Sequence, residues 1–221
     1  CLEAQSVFRD DLRIVVMSAT LEAEPVASLL GNAPVLRSEG RQYPVETVYR
    51  TPGQGELPQT GMEAAVAKTV LQAMQDVPDG DVLVFLPGSA EIRRTQAELE
   101  RLMHHLGSVA IYPLYGALPP EMQDRALAAS PPGVRKIVLA TNVAETSVTV
   151  DGVRIVVDSG LERRALFSPR TGLSRLVTAT ISAASADQRR GRAGRQAPGV
   201  CYRCWTEAKQ RLLEPSAPPE M

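Results

Sequence analysis

Short, nearly continuous runs of apolar residues recur along the chain, and segments with apolar residues at every third or fourth position separate them. A continuous apolar run is typical of a strand buried on both faces, and the wider spacing is typical of an amphipathic helix. Strands that alternate with helices predict a doubly wound α/β fold with a mainly parallel sheet. The predicted strands are Leu12–Ser18, Asp81–Leu86, Val109–Leu114, Arg135–Ala140 and Val153–Asp158, with helices over 61–75, 90–106 and 119–129.

Residues 161–182 interrupt this alternation. Two extended runs flank the sequence SPRTG, whose proline and glycine are typical of a turn. We therefore predict a β-hairpin inserted before the last helix.

The composition is that of an ordinary globular domain, with 221 residues, 44% hydrophobic and 22% charged. No apolar run approaches the roughly 20 residues that a membrane span needs. Three cysteines, an odd number, disfavour a disulfide framework, so we expect a cytoplasmic protein without membrane contact. Cys201 and Cys204 have the CxxC spacing, but VCYRCW alternates like a strand, and we expect two buried thiols and no metal site.

The charge is unevenly distributed. The net charge is −1, yet residues 154–203 contain ten arginines and three acidic residues. A solvated basic face explains this bias as well as an anionic partner such as a nucleotide or nucleic acid does, and composition leaves both open.

The stretch SADQRRGRAGR, residues 185–195, holds the densest group of arginines. If Ser185 caps a helix with Gln188 as its capping-box partner, then Gln188, Arg192 and Arg195 fall on one stripe, whereas Arg189 and Arg190 point elsewhere. Gly191 and Gly194 each cost a helix about 1 kcal/mol, which predicts close approach of a backbone or a ligand. Three long side chains with hydrogen-bond donors, two of them planar guanidinium groups, would thus converge, and such a group is suited to bind phosphate oxygens. A basic surface helix would explain the arginines but not the glycines.

A second polar cluster, ATNVAETSVTVDG over 140–152, leaves the end of a predicted strand. Ligands of open α/β sheets bind at the carboxyl ends of strands, so hydroxyls, amides and a carboxylate are well placed there. By itself the segment is equally compatible with a capped helix and a turn.

Taken in order, MSATL, LVFLPG, ATNVAETSVTVDGVRIVVDSG and QRRGRAGR resemble motifs III, IV, V and VI of the DEAH-box helicases of superfamily 2, and PRTGLSRL resembles the bacterial HrpB type. The resemblance covers nearly the whole chain. In that family two RecA-like domains clamp one nucleoside triphosphate and lay single-stranded RNA across both. The resemblance implies that residues 1–40 end the first RecA-like domain, 41–206 form the second, and 207–221 begin a winged-helix domain or a linker.

The resemblance also assigns roles to individual residues. It implies catalytic roles for Gln188, Arg192 and Arg195, the two arginines as fingers on the γ-phosphate, and nucleotide contacts for Thr149, Asp151 and Gly191. The residues implied on the nucleic-acid track are Thr141, Asn142, Thr146, Gly88, Ser89 and Arg170. Ser18, Ala19 and Thr20 would couple hydrolysis to strand separation, and the hairpin would part the duplex.

The implied cofactor is ATP, or another nucleoside triphosphate, with Mg²⁺ held by the first RecA-like domain. The family's base-stacking aromatic position is matched by Leu127, which predicts weak selectivity for adenine. The sequence has no GxxxxGK[ST] loop and no DExH motif, so we expect a fragment that is inactive alone. The implied partners are the first RecA-like domain of the same protein and single-stranded RNA, with DNA as an alternative. The competing hypotheses are a stand-alone RNA- or nucleotide-binding module without catalysis and a nucleotide-binding regulatory domain.

Overall fold

The computed structural model describes residues 7–9, 11–17, 23–36, 43–50, 61–104, 108–146, 148–168 and 172–216. The chain forms two compact units, Cys1–Gly40 and Arg41–Met221. The first unit contains the helix α1 (Ala23–Leu29). The strand predicted over Leu12–Ser18 is wrong for its described residues, because residues 12–17 form neither strand nor helix. A strand needs a neighbour for its backbone groups, and the described part of this unit contains none.

The second unit is built on a parallel sheet. In chain order its described strands are β1 (Val45–Tyr49), β2 (Asp81–Phe85), β3 (Val109–Leu114), β4 (Arg135–Ala140), β5 (Val153–Asp158), β6 (Leu161–Ser168), β7 (Leu173–Thr180) and β8 (Gly199–Arg203). Six of them pair in the order β1-β8-β5-β2-β4-β3, and every neighbouring pair is parallel. The predicted α/β fold is confirmed.

Helices cover both faces of this sheet. They are α2 (Met62–Asp76), α3 (Ser89–Met103), α4 (Pro120–Leu127), α5 (Val143–Thr146), α6 (Ala183–Gly191) and α7 (Glu207–Gln210). On one face, α2 and α3 bury residues such as Val70 and Leu99 against Val84 and Ile155. On the other, Ala126 and Ala144 pack against Phe85 and other strand residues. The alternation of side chains along each strand supplies both cores.

The strands β6 and β7 form a separate antiparallel hairpin, as predicted. Leu166, Leu173 and Leu176 on this hairpin are 48%, 70% and 67% exposed. The hairpin begins three residues after β5 ends, so its base lies at the carboxyl ends of the parallel strands.

Because the six strands run in the same direction, the sheet has one carboxyl edge and one amino edge. Residues 141–146 follow β4 at the carboxyl edge, whereas residues 148–152 precede β5 and lie at the amino edge. The whole 140–152 cluster was expected at the strand carboxyl ends. That expectation is wrong for its second half, because the segment must cross the sheet to start the next parallel strand.

The two cysteines of the CxxC sequence are buried free thiols on β8 and just after it. Burial raises the pKa of both, that of Cys204 to about 12. Among the described residues, no three His, Cys, Asp or Glu side chains are grouped as a metal site would require. No described helix is long and apolar enough to span a membrane.

Candidate functional site

The arginine-rich helix α6 starts one turn earlier than the sequence suggested. Ser182 is its N-cap, and the Ser182 Oγ accepts a hydrogen bond from the Ser185 backbone N–H at 3.1 Å. The backbone N–H groups of the first two helical residues, Ala183 and Ala184, donate to the carbonyls of Glu214 and Pro215 at 2.8 and 3.1 Å. The capping box predicted at Ser185 and Gln188 is therefore wrong. The partners that satisfy the helix start come from a distant part of the chain.

The helix also ends before the predicted stripe is complete. It stops at Gly191, and Arg192–Gly194 form a 3₁₀ turn. Gln188 is half-buried in the helix, Arg192 is only 5% exposed, and Arg195 is exposed. The regular helical spacing assumed for these three residues does not hold, because a 3₁₀ turn rotates its side chains differently from an α-helix.

Arg192 and Arg195 nevertheless converge on one segment. The Arg192 guanidinium donates to the Glu145 carbonyl oxygen through Nε at 2.9 Å and again through Nη2, and to the Val148 carbonyl oxygen at 2.6 Å. Arg195 Nη1 donates to Thr149 Oγ1 at 2.7 Å. Arg192 thus contacts α5 and Val148, and Arg195 contacts the neighbouring Thr149.

The described residues give Arg192 and Arg195 no salt bridge, although the charge of Glu145 acts on Arg192. Within the described chain no Asp or Glu side chain lies within salt-bridge distance of Arg192 or Arg195, whereas Arg94, Arg164 and Arg203 each have one. Burial first, and then the charge of Arg195, lower the pKa of Arg192 to about 10, so it stays protonated at neutral pH. Two adjacent cations held by neutral oxygens repel each other, and a polyanion would relieve that repulsion.

Asp151 lies in the turn that leads into β5, two residues after the Thr149 that Arg195 contacts. Its backbone N–H donates to the Leu127 carbonyl at 3.4 Å, so the half-buried Leu127 lies next to it. We call Thr149, Asp151, Arg192 and Arg195 the amino-edge cluster. It contains guanidinium groups, a hydroxyl and a carboxylate, the groups that could hold phosphates and sugar hydroxyls.

The two glycines of the arginine-rich stretch differ. A Cβ added at Gly194 would lie 2.5 Å from the Tyr43 carbonyl oxygen, which confirms the expected close backbone approach there. A Cβ added at Gly191 would meet nothing within 4 Å. At Gly191 no described backbone approaches, the space beside it is open, and the alternative of a nearby ligand stays a prediction.

Four of the residues implied on the nucleic-acid track lie together at the carboxyl edge. Gly88 is the N-cap of α3 and Ser89 its first residue, while Thr141 and the exposed Asn142 follow the neighbouring strand β4. The Leu86 N–H donates to the Ala140 carbonyl at 2.8 Å and joins the two strand ends. We call Gly88, Ser89, Thr141 and Asn142 the carboxyl-edge cluster.

Five of the residues implied by the resemblance remain. Thr146 ends α5, next to the carboxyl-edge cluster in sequence. Arg170, Ser18, Ala19 and Thr20 lie outside the described residues.

Arg189, expected to point away from the site, is the most deeply buried cation of the arginine-rich helix, at 1% exposure. Its guanidinium pairs with Glu145 Oε2 at 2.9 Å and Asp158 Oδ1 at 3.0 Å, and lies 4.0 Å from Glu162 Oε2. Burial alone would lower the pKa of Arg189, but Asp158 and Glu145 raise it above its ordinary value. These carboxylates come from α5, β5 and β6, so Arg189 connects the segment held by Arg192 to the hairpin base. Helical spacing gave no signal for this role.

Comparison with known proteins relates this geometry to a family. The sequence profile of the helicase conserved C-terminal domain matches residues 65–197. The chain is 42% identical over 221 residues to the ATP-dependent RNA helicase HrpB of Escherichia coli K12, covering all of this chain and 26% of that protein. It is also 42% identical over 218 residues to the pre-mRNA-splicing factor ATP-dependent RNA helicase prp22 of Schizosaccharomyces pombe, covering 96% of this chain and 18% of that protein.

Two solved structures of helicases have the same fold as this chain. The crystal structure of the Escherichia coli DEAH/RHA helicase HrpB superposes with a TM-score of 0.87 over 99% of this chain and 27% of that one. A second structure, of the E. coli DExH-box NTPase HrpB, gives a TM-score of 0.85 over 99% of this chain and 26% of that one. The chain thus spans about a quarter of these bacterial proteins.

Proposed function

Because the chain belongs to the family of helicase conserved C-terminal domains, we propose that it serves as the second motor domain of an ATP-dependent RNA helicase. In this proposal the amino-edge cluster receives the nucleoside triphosphate and the carboxyl-edge cluster receives single-stranded RNA. The α5 segment and Arg189 lie between the two.

The observation that carries the nucleotide half of the proposal is the pair of arginines that form no salt bridge with any described carboxylate. Guanidinium groups form paired hydrogen bonds with phosphate oxygens, and a γ-phosphate would supply the two arginines with anionic hydrogen-bond acceptors. Arg195 is the more available finger, since it is exposed and donates to the Thr149 hydroxyl. Arg192 fixes the 145–148 segment and turns to phosphate by exchanging a carbonyl for a phosphate oxygen.

The positions of the other nucleotide-side residues support the roles proposed for them. Gln188 precedes Arg192 by one turn and would orient the attacking water. Thr149 and Asp151 would contact the ribose side, and the open space beside Gly191 would admit the phosphates without a side chain in the way. Leu127 beside Asp151 offers no aromatic ring, so ATP and other triphosphates are accepted.

The RNA half rests on the carboxyl-edge cluster. Backbone N–H groups at the start of α3, by Gly88 and Ser89, and the polar side chains of Thr141 and Asn142 suit phosphate and ribose oxygens of a single strand. Thr146 and Arg170 extend this track, and the hairpin parts the duplex. DNA is the alternative substrate.

The proposed partner is a first RecA-like domain, which would supply the phosphate loop, the DExH motif and Mg²⁺. Residues 1–40 would end that domain, 41–206 form the second, and 207–221 lead into a winged-helix domain or a linker. Ser18, Ala19 and Thr20 would couple hydrolysis to strand separation. The protein would act in the cytoplasm, and this chain alone would not hydrolyse ATP.

The test uses the full-length helicase that carries this chain. Arg195→Ala should lower RNA-stimulated ATP turnover by about 10³-fold or more and leave RNA affinity nearly unchanged. Arg101→Ala, at an exposed arginine on α3 paired with Glu98, is the matched control and should change neither. Turnover of the Arg195 variant within a few-fold of the parent would overturn the proposal. RNA or nucleotide binding without turnover by the parent protein would favour a binding module instead.

A further inference from the structure

Gln196 follows the arginine-rich stretch directly and clamps the turn that contains Asp151. Its side-chain Nε2 donates to Asp151 Oδ1 at 3.0 Å, and its Oε1 accepts from the Gly152 backbone N–H at 2.9 Å. One exposed side-chain amide therefore holds both a side chain and a backbone group of the same two-residue turn.

The backbone of this turn is fixed independently of Gln196. The Gly152 carbonyl accepts from the Asp81 N–H at 2.8 Å, and the Asp151 N–H donates to the Leu127 carbonyl. Gly152 has a φ of 79°, and a Cβ there would lie 2.8 Å from Asp81 Oδ2, so the position suits glycine on both counts. Among the described residues, Gln196 is the one that donates to the Asp151 side chain, so it orients that side chain.

The clamp leaves the Asp151 carboxylate ready to accept further hydrogen bonds. Oδ1 is engaged by Gln196, while Oδ2 accepts none from the described residues. The clamping group is a neutral amide, so it orients the carboxylate and leaves its negative charge in place. An arginine or lysine in the same position would neutralise that charge. A carboxylate oriented by Gln196, two residues after the Thr149 that Arg195 contacts, suits the adjacent hydroxyls of a ribose.

We infer that Gln196 is a positioning residue that aligns Asp151 with the ribose hydroxyls of the nucleotide and so sets the preference for ribonucleotides over nucleotides that lack these hydroxyls. This inference rests on the proposed function, in which the amino-edge cluster binds the triphosphate. Gln196 acts through Asp151 and does not touch the phosphates.

The experiment measures kcat and KM of RNA-stimulated hydrolysis in the full-length helicase, with ATP and with 2′,3′-dideoxy-ATP. Gln196→Ala should raise KM for ATP about three- to tenfold, leave kcat within about twofold, and leave KM for the dideoxy nucleotide unchanged. Gln196→Glu, which sets a second negative charge against Asp151, should raise KM for ATP further. In an Asp151→Ala background, Gln196→Ala should have no additional effect.

The outcomes separate this inference from the proposed function. If Asp151→Ala raises KM for ATP and Gln196→Ala does not, Gln196 has no positioning role, and the nucleotide site stands. An equal rise for both nucleotides in the Gln196 variants would also overturn the inference, since it would indicate general damage to the turn. If Asp151→Ala leaves KM for ATP unchanged, the ribose contact itself is refuted along with the inference.

Discussion

Gly194→Ala tests the packing that fixes the end of the arginine-rich segment. The new methyl group would lie 2.5 Å from the Tyr43 carbonyl oxygen and 2.6 Å from Val45 Cγ2. Tyr43 cannot withdraw freely, because its N–H donates to the Gly194 carbonyl at 2.9 Å. Overpacking costs about 1–3 kcal/mol and the strained hydrogen bond about 1 kcal/mol more, so we expect a loss of about 2–4 kcal/mol in the free energy of unfolding.

Gly191→Ala is the matched control three residues away. Gly191 has helical angles, φ −58° and ψ −17°, and open space at the Cβ position, so alanine should stabilise the chain by about 0.4–1 kcal/mol. Urea unfolding followed by the fluorescence of Trp205, the single tryptophan and only 4% exposed, measures both values. Equal stability of the two variants, or a less stable Gly191 variant, would show that contact with the Tyr43 backbone does not restrict position 194.

Three further predictions concern the same region. Arg189→Met should lower the free energy of unfolding by about 3–5 kcal/mol, because it leaves buried carboxylates unpaired. A loss below about 1 kcal/mol in urea unfolding would show that the ion pairs of Arg189 do not stabilise the fold. In the same assay, Ser182→Ala should lower the free energy of unfolding by about 1 kcal/mol. Ser185→Ala should lower it little, since the buried Ser185 Oγ has no partner among the described residues. A larger loss for Ser185→Ala would indicate that Ser185, not Ser182, caps the helix. In a variant whose first residue is serine, Cys201 and Cys204 should resist a thiol reagent at pH 8 until the chain is unfolded, because burial raises the pKa of both thiols; rapid modification of the native protein would contradict their burial.

Continuous apolar runs predicted much of the sheet. The bounds of β3, β4 and β5 agree with the predicted strands residue for residue, because a run that is apolar on both faces has few other ways to be buried. Val15 and Val16 belong to a similar run, yet residues 12–17 form no strand. A local apolar pattern shows that a segment can form a strand. Whether the strand forms depends on neighbouring strands from other parts of the chain.

The candidate site was less predictable, because its geometry depends on contacts between distant residues. Helical spacing placed Arg192 and Arg195 together, and they do converge, but through a 3₁₀ turn that spacing could not reveal. The same reasoning directed Arg189 away from this pair but could not show that carboxylates from three other elements hold it inside. Gln196 carried no signal at all, since its role exists only once the turn before β5 is folded against it.

A crystal structure of the full-length helicase with ADP–aluminium fluoride and a short single-stranded RNA would locate both proposed ligand sites at once. We expect the fluoride group within hydrogen-bond distance of the Arg195 guanidinium at the amino edge, with the RNA backbone against Thr141 and Asn142 at the carboxyl edge. A nucleotide bound away from Arg195, or both ligands at the same edge of the sheet, would contradict this expectation.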